Sequence, residues 1–132
     1  MNLETEGNGD VVDITRSVAE ILAAGDIAEG IVTVFVPGST ASVTTLEFEP
    51  GLQEDLPRAL ARIAPPDIPY AHDKRWGDGN GRSHVAAAIM GPGLVVPFKE
   101  KKLLLGTWQQ IVLVDHDTRP RDRTLIIQAL GD

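Results

Sequence analysis

A chain of 132 residues with 42% hydrophobic residues, 23% charged residues and no cysteine has the size and make-up of one globular domain. The lack of cysteine excludes disulfides, thiolate metal sites and cysteine nucleophiles, and fits a reducing compartment. A net charge of −7 gives little attraction for nucleic acid or anionic lipid. No apolar run approaches the ~20 residues of a membrane span. The opening MNLETEGNGD lacks the basic and apolar regions of a signal peptide. The expected location is the cytoplasm, and residues 1–132 are expected to form a single domain.

The charge is unevenly placed. Residues 1–71 carry three arginines against twelve acids, and residues 72–132 carry nine basic groups against seven acids. An anionic ligand is therefore expected in the second half; acids on solvated helix faces would produce the same bias.

In chain order, Asp13 is a candidate N-cap for a helix with Ile14, Val18, Ile21 and Leu22 on one stripe, stopped by Gly25. IVTVFVP, residues 31–37, is a β-branched run ended by proline and reads as a buried strand. After GST, residues 42–49 alternate, with Leu46 and Phe48 on one side and Thr45, Glu47 and Glu49 on the other. A second helix carries Leu52, Leu56, Leu60 and Ile63, with Asp55 as its cap and Pro57 in its first turn. Residues 64–83 read as one long proline- and glycine-rich loop. HVAAAIM, residues 84–90, is a short helix capped by Ser83 or a strand; periodicity does not decide. LVVPF, LLLGTWQQIVLVDHD and TLIIQAL read as strands separated by GPG, KEKK and TRPRDR. Two main helices and a strand-rich second half predict an α+β fold with a mostly antiparallel mixed sheet.

The candidate chemistry lies in HDKRWGDGNGRSH, which opens on His72 and closes on His84. Neutral imidazole is a common metal ligand and proton shuttle near neutral pH. Their spacing is not that of a metal-binding helix, so two ordinary loop histidines are the alternative. GDGNG can form a nest of amides for phosphate or a plain turn. Within it Asp78 and Asn80 could position a ligand or serve the turn. Glu47, on the polar face of its strand, could be a general base, a metal ligand or a solvated edge residue. Arg119, Arg121 and Arg123 would share one side if extended. They could grip phosphate, or pair with Asp115, Asp117 and Asp122 at a hairpin end. Trp108 and Gln110 are placed on one strand face, as core, subunit interface or substrate platform. There is no Gly-x-Ser-x-Gly elbow; Ser39, Thr40 and Ser42 have no base beside them in sequence.

Taken in order, GSTAS, Glu47, EDLPRALARIAP, YAHD, GDGN with His84, GPGLVVP, LLLGTWQQ and RPRDR resemble the YjbQ family, also described as secondary thiamine-phosphate synthase enzymes. The resemblance runs from residue 13 onward. It implies a compact α+β subunit in a homotrimer, with a polar pocket near subunit contacts. It also implies weak thiamin-phosphate synthase (transferase) activity, in which a hydroxymethylpyrimidine pyrophosphate is joined to a thiazole phosphate and pyrophosphate leaves. On that resemblance Glu47, His72 and His84 are the catalytic candidates, and His72 and His84 would hold a divalent metal ion, Mg or Zn. Thr40, Asp78, Asn80, Trp108, Arg119 and Arg121 would bind a phosphorylated metabolite. Gly38 departs from the pattern, standing where many members have the histidine of an HTTA-like element. That substitution points to the alternative of a non-catalytic trimeric module that binds a phosphorylated metabolite or metal ion.

Overall fold

The computed structural model describes residues 1–132. Nine strands and four helices follow one another as β1 (Asn2–Thr5), β2 (Asp10–Asp13), α1 (Thr15–Ala24), β3 (Gly30–Phe35), β4 (Ala41–Leu46), α2 (Pro50–Ile63), α3 (Ala71–Trp76), α4 (Gly81–Met90), β5 (Gly93–Lys99), β6 (Lys102–Leu103), β7 (Gln110–Asp115), β8 (Arg121–Thr124) and β9 (Ile126–Gly131). The strands form a four-stranded sheet in the order β6-β5-β3-β9, a three-stranded sheet β2-β7-β4 and a two-stranded ladder β1-β8. Every pairing is antiparallel. The expected α+β class is therefore observed, with α3 unforeseen and α4 deciding for helix the segment that periodicity left open.

Strand β7 explains the layering. Its IVLV run is fully buried on both faces, as a central strand with cover on each side requires. Ile111 and Leu113 join the main core with Ile14, Val18 and Leu22 of the first helix segment, Val32 and Val34 of β3, Val43 of β4, and Val96 and Phe98 of β5. Val112 and Val114 turn the other way, to Val11, Leu56 of α2 and Met90 of α4. The second helical layer thus lies on the opposite side of the β2-β7-β4 sheet from the main core.

Helix α1 starts beside Asp13, whose carboxylate accepts from the backbone N–H and hydroxyl of Thr15 at 2.9 and 2.6 Å. Ile14 occupies the capping position itself, so Asp13 acts one residue earlier than its expected place. Gly25 ends the helix, as the spacing predicts.

Four segments differ from the expectations. IVTVFVP alternates rather than being buried throughout: Val32, Val34 and Val36 point inward, while Ile31 and Phe35 are exposed. Helix α2 begins at Pro50 with Glu49 as its cap, accepting from the N–H groups of Gly51 and Leu52. Pro57 is therefore interior, and Asp55 is not the cap. The preset φ of Pro50 and the Glu49 carboxylate satisfy the first turn well enough for the helix to begin upstream. The expected loop over 64–83 contains α3, and α4 starts at Gly81, so HVAAAIM is helix and Ser83 lies within it. LLLGTWQQIVLVDHD is divided between β6 and β7 by residues 104–109, and TRPRDR contributes β8.

Candidate functional site

Helices α3 and α4 form a short hairpin that carries the two histidines. α3 closes on Gly77, a left-handed residue with φ 71°, and Gly79 repeats that conformation with φ 67°. Glycine enters this region without the penalty of a Cβ, so GDGNG is the reversal between the helices. At the start of α4, a Cβ on Gly81 would lie 2.6 Å from Cβ of Tyr70, so only glycine lets the two segments approach this closely. The Gly81 N–H donates to Oδ1 of Asp73 at 2.8 Å, placing a carboxylate at the N-terminus of α4.

The result is a compact cluster. The rings of His72 and His84 have centroids 4.3 Å apart and are tilted by 38°. His72 Nδ1 lies 3.3 Å from Asp78 Oδ1 and 3.6 Å from Asp73 Oδ1. That nitrogen is buried and makes no hydrogen bond, an unusual state for a buried polar atom. One ligand atom from each of His72, Asp73 and Asp78 lies within 4.8 Å of the others. With its amide nitrogen toward Asp78, Asn80 donates to the two carboxylate oxygens at 3.1 and 3.2 Å. Asn80 thereby fixes Asp78 in turn.

A second polar cluster is built on the end of β7 and on β8. Asp115 accepts from Nε and Nη2 of Arg123 at 2.7 and 2.8 Å, and from the Thr5 hydroxyl at 2.6 Å. Asp117 accepts from Arg121 Nε at 2.8 Å and from the Thr40 hydroxyl at 3.1 Å. Burial works against ionisation of both carboxyls. For Asp115 the bonds from Arg123 and Thr5 outweigh it; for Asp117 those from the Thr118 amide, Arg121 and Thr40 do, so each pKa lies below the usual carboxylate value. The same Asp115 contact raises Arg123 above its ordinary value, against burial.

His116 sits between the clusters. Its N–H donates to the Thr40 carbonyl, its own carbonyl accepts from the Ser83 hydroxyl, and its Nε2 lies 2.9 Å from the Ser42 hydroxyl oxygen. Burial pushes its pKa down to about 4; attraction to Asp115 opposes this, while Arg123 and Arg82 add repulsion. Ser42 is fully buried and the carboxylate of Asp115 is directed to other partners, so the pair links β4 to β7 rather than presenting a nucleophile.

The whole of residues 1–132 matches the family model described as UPF0047 protein YjbQ-like. The chain belongs to the YjbQ family. It is 35% identical over 130 residues to a UPF0047 protein of Archaeoglobus fulgidus, covering 98% of each chain. It is 41% identical over 105 residues to a UPF0047 protein of Mycobacterium tuberculosis, covering 80% of this chain and 77% of that one. Among solved structures, a protein of unknown function from Sulfolobus solfataricus P2 superposes with a TM-score of 0.91 at 32% identity, over 100% of this chain and 96% of that one. An uncharacterised YjbQ/UPF0047 protein from Clostridium acetobutylicum gives a TM-score of 0.89 at 28% identity, over 98% of each. The fold and the family are thus established together.

Within this YjbQ-family chain the predicted residues divide among several places. His72, His84, Asp78 and Asn80 converge. Thr40 and Arg121 belong to the second cluster, joined to the first through His116 and Ser83. Arg121 and Arg123 share a face of β8 as alternation predicts, whereas Arg119 precedes the strand, is exposed and forms no ion pair. Glu47 lies just past the end of β4 rather than on its polar face; it is exposed and its side chain makes no hydrogen bond or ion pair. Trp108 is not on a strand with Gln110 but in the preceding loop, with 72% of its surface exposed. Sequence reasoning passed over Asp73 and His116, whereas the pairing of Arg123 with Asp115 is one of the two readings given for the arginine run. Asp73 stands next to His72, and VDHD closes an apolar run. Both are local signals, but only the fold shows where they lead.

Proposed function

We propose that this YjbQ-family protein holds a divalent cation at His72, Asp73 and Asp78 and uses it, with His84, on a phosphorylated metabolite. The observation that carries the reading is the buried, unpartnered Nδ1 of His72 facing two carboxylates. A nitrogen and two oxygens are a donor set suited to zinc or a similar first-row ion, and three protein ligands leave positions for substrate. A cation bound there would neutralise negative charge developing on a departing phosphate or pyrophosphate. His84, whose tilted ring lies 4.3 Å from that of His72, would move a proton beside it. Glu47 keeps its proposed role as base only if a second subunit or a substrate brings it into play.

The reaction class that fits is the thiamin-phosphate synthase type, joining a hydroxymethylpyrimidine pyrophosphate to a thiazole phosphate with loss of pyrophosphate. The test supplies both precursors with Mg²⁺, Mn²⁺ or Zn²⁺ to the wild type, Asp78→Asn and His84→Ala. The reading expects His84→Ala to lose at least about 100-fold in rate, the scale of a lost acid–base group, and Asp78→Asn to lose activity with its cation. Equal rates in all three proteins would remove these residues from the chemistry. A second reading, a non-catalytic module that binds the same class of metabolite, is favoured by Gly38. Saturable binding without turnover in the wild type would select it.

We also propose a homotrimer. The outer face of the four-stranded sheet is apolar and uncovered: Ile31, Phe35, Val95, Ile126 and Leu130 are all exposed. Ile31 pairs with Leu130, and Phe35 with Ile126, so two apolar pairs flank the Thr33–Gln128 pair on one face of β3 and β9. An apolar patch of this kind marks an association surface.

A further inference from the structure

We propose that the Gly38–Thr40 loop and the Nη1 group of Arg123 together form a seat for a phosphate group. The inference rests on the reading of the ligand as a phosphorylated metabolite and says which part of the protein holds its phosphate.

Arg123 is nine-tenths buried, with 10% of its side chain exposed. Three of its four bonds are made by Nη2, to Asp115 Oδ1 at 2.8 Å, to the Thr40 hydroxyl at 2.9 Å and to the Thr40 carbonyl at 3.4 Å. Nε makes the fourth, to Asp115 Oδ2. Nη1 makes none. The guanidinium is therefore locked in orientation with one edge of its donor fork unused. Such a preset, charged donor is the kind of group that grips phosphate oxygens.

The unused edge opens toward Gly38. A Cβ at that position would meet Arg123 Nη1 at 3.5 Å and no other heavy atom within 4 Å. Gly38 has φ 145°, a conformation that side chains rarely adopt. The glycine therefore leaves open the space beside Nη1. The backbone N–H groups of Gly38, Ser39 and Thr40 donate to no other group of the chain. Gly38 and Ser39 are exposed and Nη1 is not enclosed, so these donors, with no acceptor inside the chain, are open to one from outside. An oxyanion can bridge donors grouped in this way.

Asp115 and Asp117 already balance Arg121 and Arg123, so the seat acts through directed hydrogen bonds more than through net charge. Thr40 connects it to the histidine pair: the Thr40 carbonyl accepts from His116 N–H, and the His116 carbonyl accepts from Ser83, the neighbour of His84. Where the resembled pattern has a histidine, Gly38 leaves the space beside Arg123 open.

The test is a titration of the ¹⁵N-labelled protein with inorganic phosphate and, separately, with phenyl phosphate, followed by backbone and arginine side-chain NMR. The proposal expects saturable shifts at the amides of Gly38, Ser39 and Thr40 and at the Arg123 guanidinium. It expects at least a tenfold weaker response in Gly38→Ala and Arg123→Lys, each checked for an intact spectrum. A stronger response to the ester identifies the ligand as a phosphorylated molecule, and an equal one as free phosphate; either supports the seat. No saturable shift at residues 38–40 in the wild type, or shifts confined to other residues such as Arg119, would overturn it. Separate titration with Mn²⁺, read at His72 and His84, reports on the cation reading independently.

Discussion

Tyr70 and Gly81 touch so closely that a single added carbon on Gly81 would lie 2.6 Å from the tyrosine Cβ. That contact seats the start of α4 against the entry to α3. It thereby brings His72 and His84 together from positions twelve residues apart.

Gly81→Ala is expected to force the two helices apart. The added methyl also points toward Asp73 Oδ1, at 3.0 Å, and so disturbs the carboxylate that accepts from the Gly81 N–H. Overpacking of this kind costs about 1–3 kcal/mol. Urea unfolding should show that loss, and cation affinity measured by calorimetry should fall with it. An unchanged affinity in a destabilised variant would separate the hairpin from the site.

How much of this was legible in the sequence depended on the range of the forces involved. The α1 stripe and the β7 run are set by short-range periodicity, and both were readable. Pro57 misled because proline usually opens a helix, but Glu49 and Pro50 provide a better start seven residues earlier. The HVAAAIM segment was ambiguous because α4 lies over Ser42 of β4, which selects small residues such as Ala86 and Ala87 rather than an apolar stripe. His72, His84 and Arg123 were readable as candidates, but Asp73, His116 and the link from Arg123 to Thr40 were not. Their roles come from pairings between distant segments, such as Arg123 with Thr40.

His116 should make the protein sensitive to acid. Its folded pKa of about 4 lies below the ordinary value of 6.5, so the unfolded chain binds the proton more readily. Stability is therefore full above about pH 6.5 and is lost as pH falls toward 4, by on the order of 3 kcal/mol for a shift of this size. Asp115 and Asp117, whose pKa values are also lowered, extend the loss to still lower pH. Urea midpoints between pH 7 and 4 should fall in the wild type and stay nearly flat over that interval in His116→Gln. The same slope in both proteins would assign the acid sensitivity elsewhere.

Leu130 and Val95, exposed by 69% and 55% on the outer sheet face, are expected to be covered in the assembled protein. A Leu130→Glu substitution would place a charge in an apolar contact, which is costly when unpaired. Sedimentation should show a trimer for the wild type and a shift of at least tenfold toward monomer for the variant. A monomeric wild type at high concentration would leave the apolar face without its proposed role.

His72 Nδ1 is buried without a hydrogen-bond partner, and a cation ligand is the role proposed for it. Anomalous diffraction from crystals soaked in Zn²⁺, or in Mn²⁺, at the absorption edge of the metal tests it directly. The expected result is a peak within about 2.0–2.2 Å of that nitrogen and of oxygens from Asp73 and Asp78. A well-ordered soaked crystal with no peak there, or with a hydrogen bond from Nδ1 to Asp78 in its place, would contradict it.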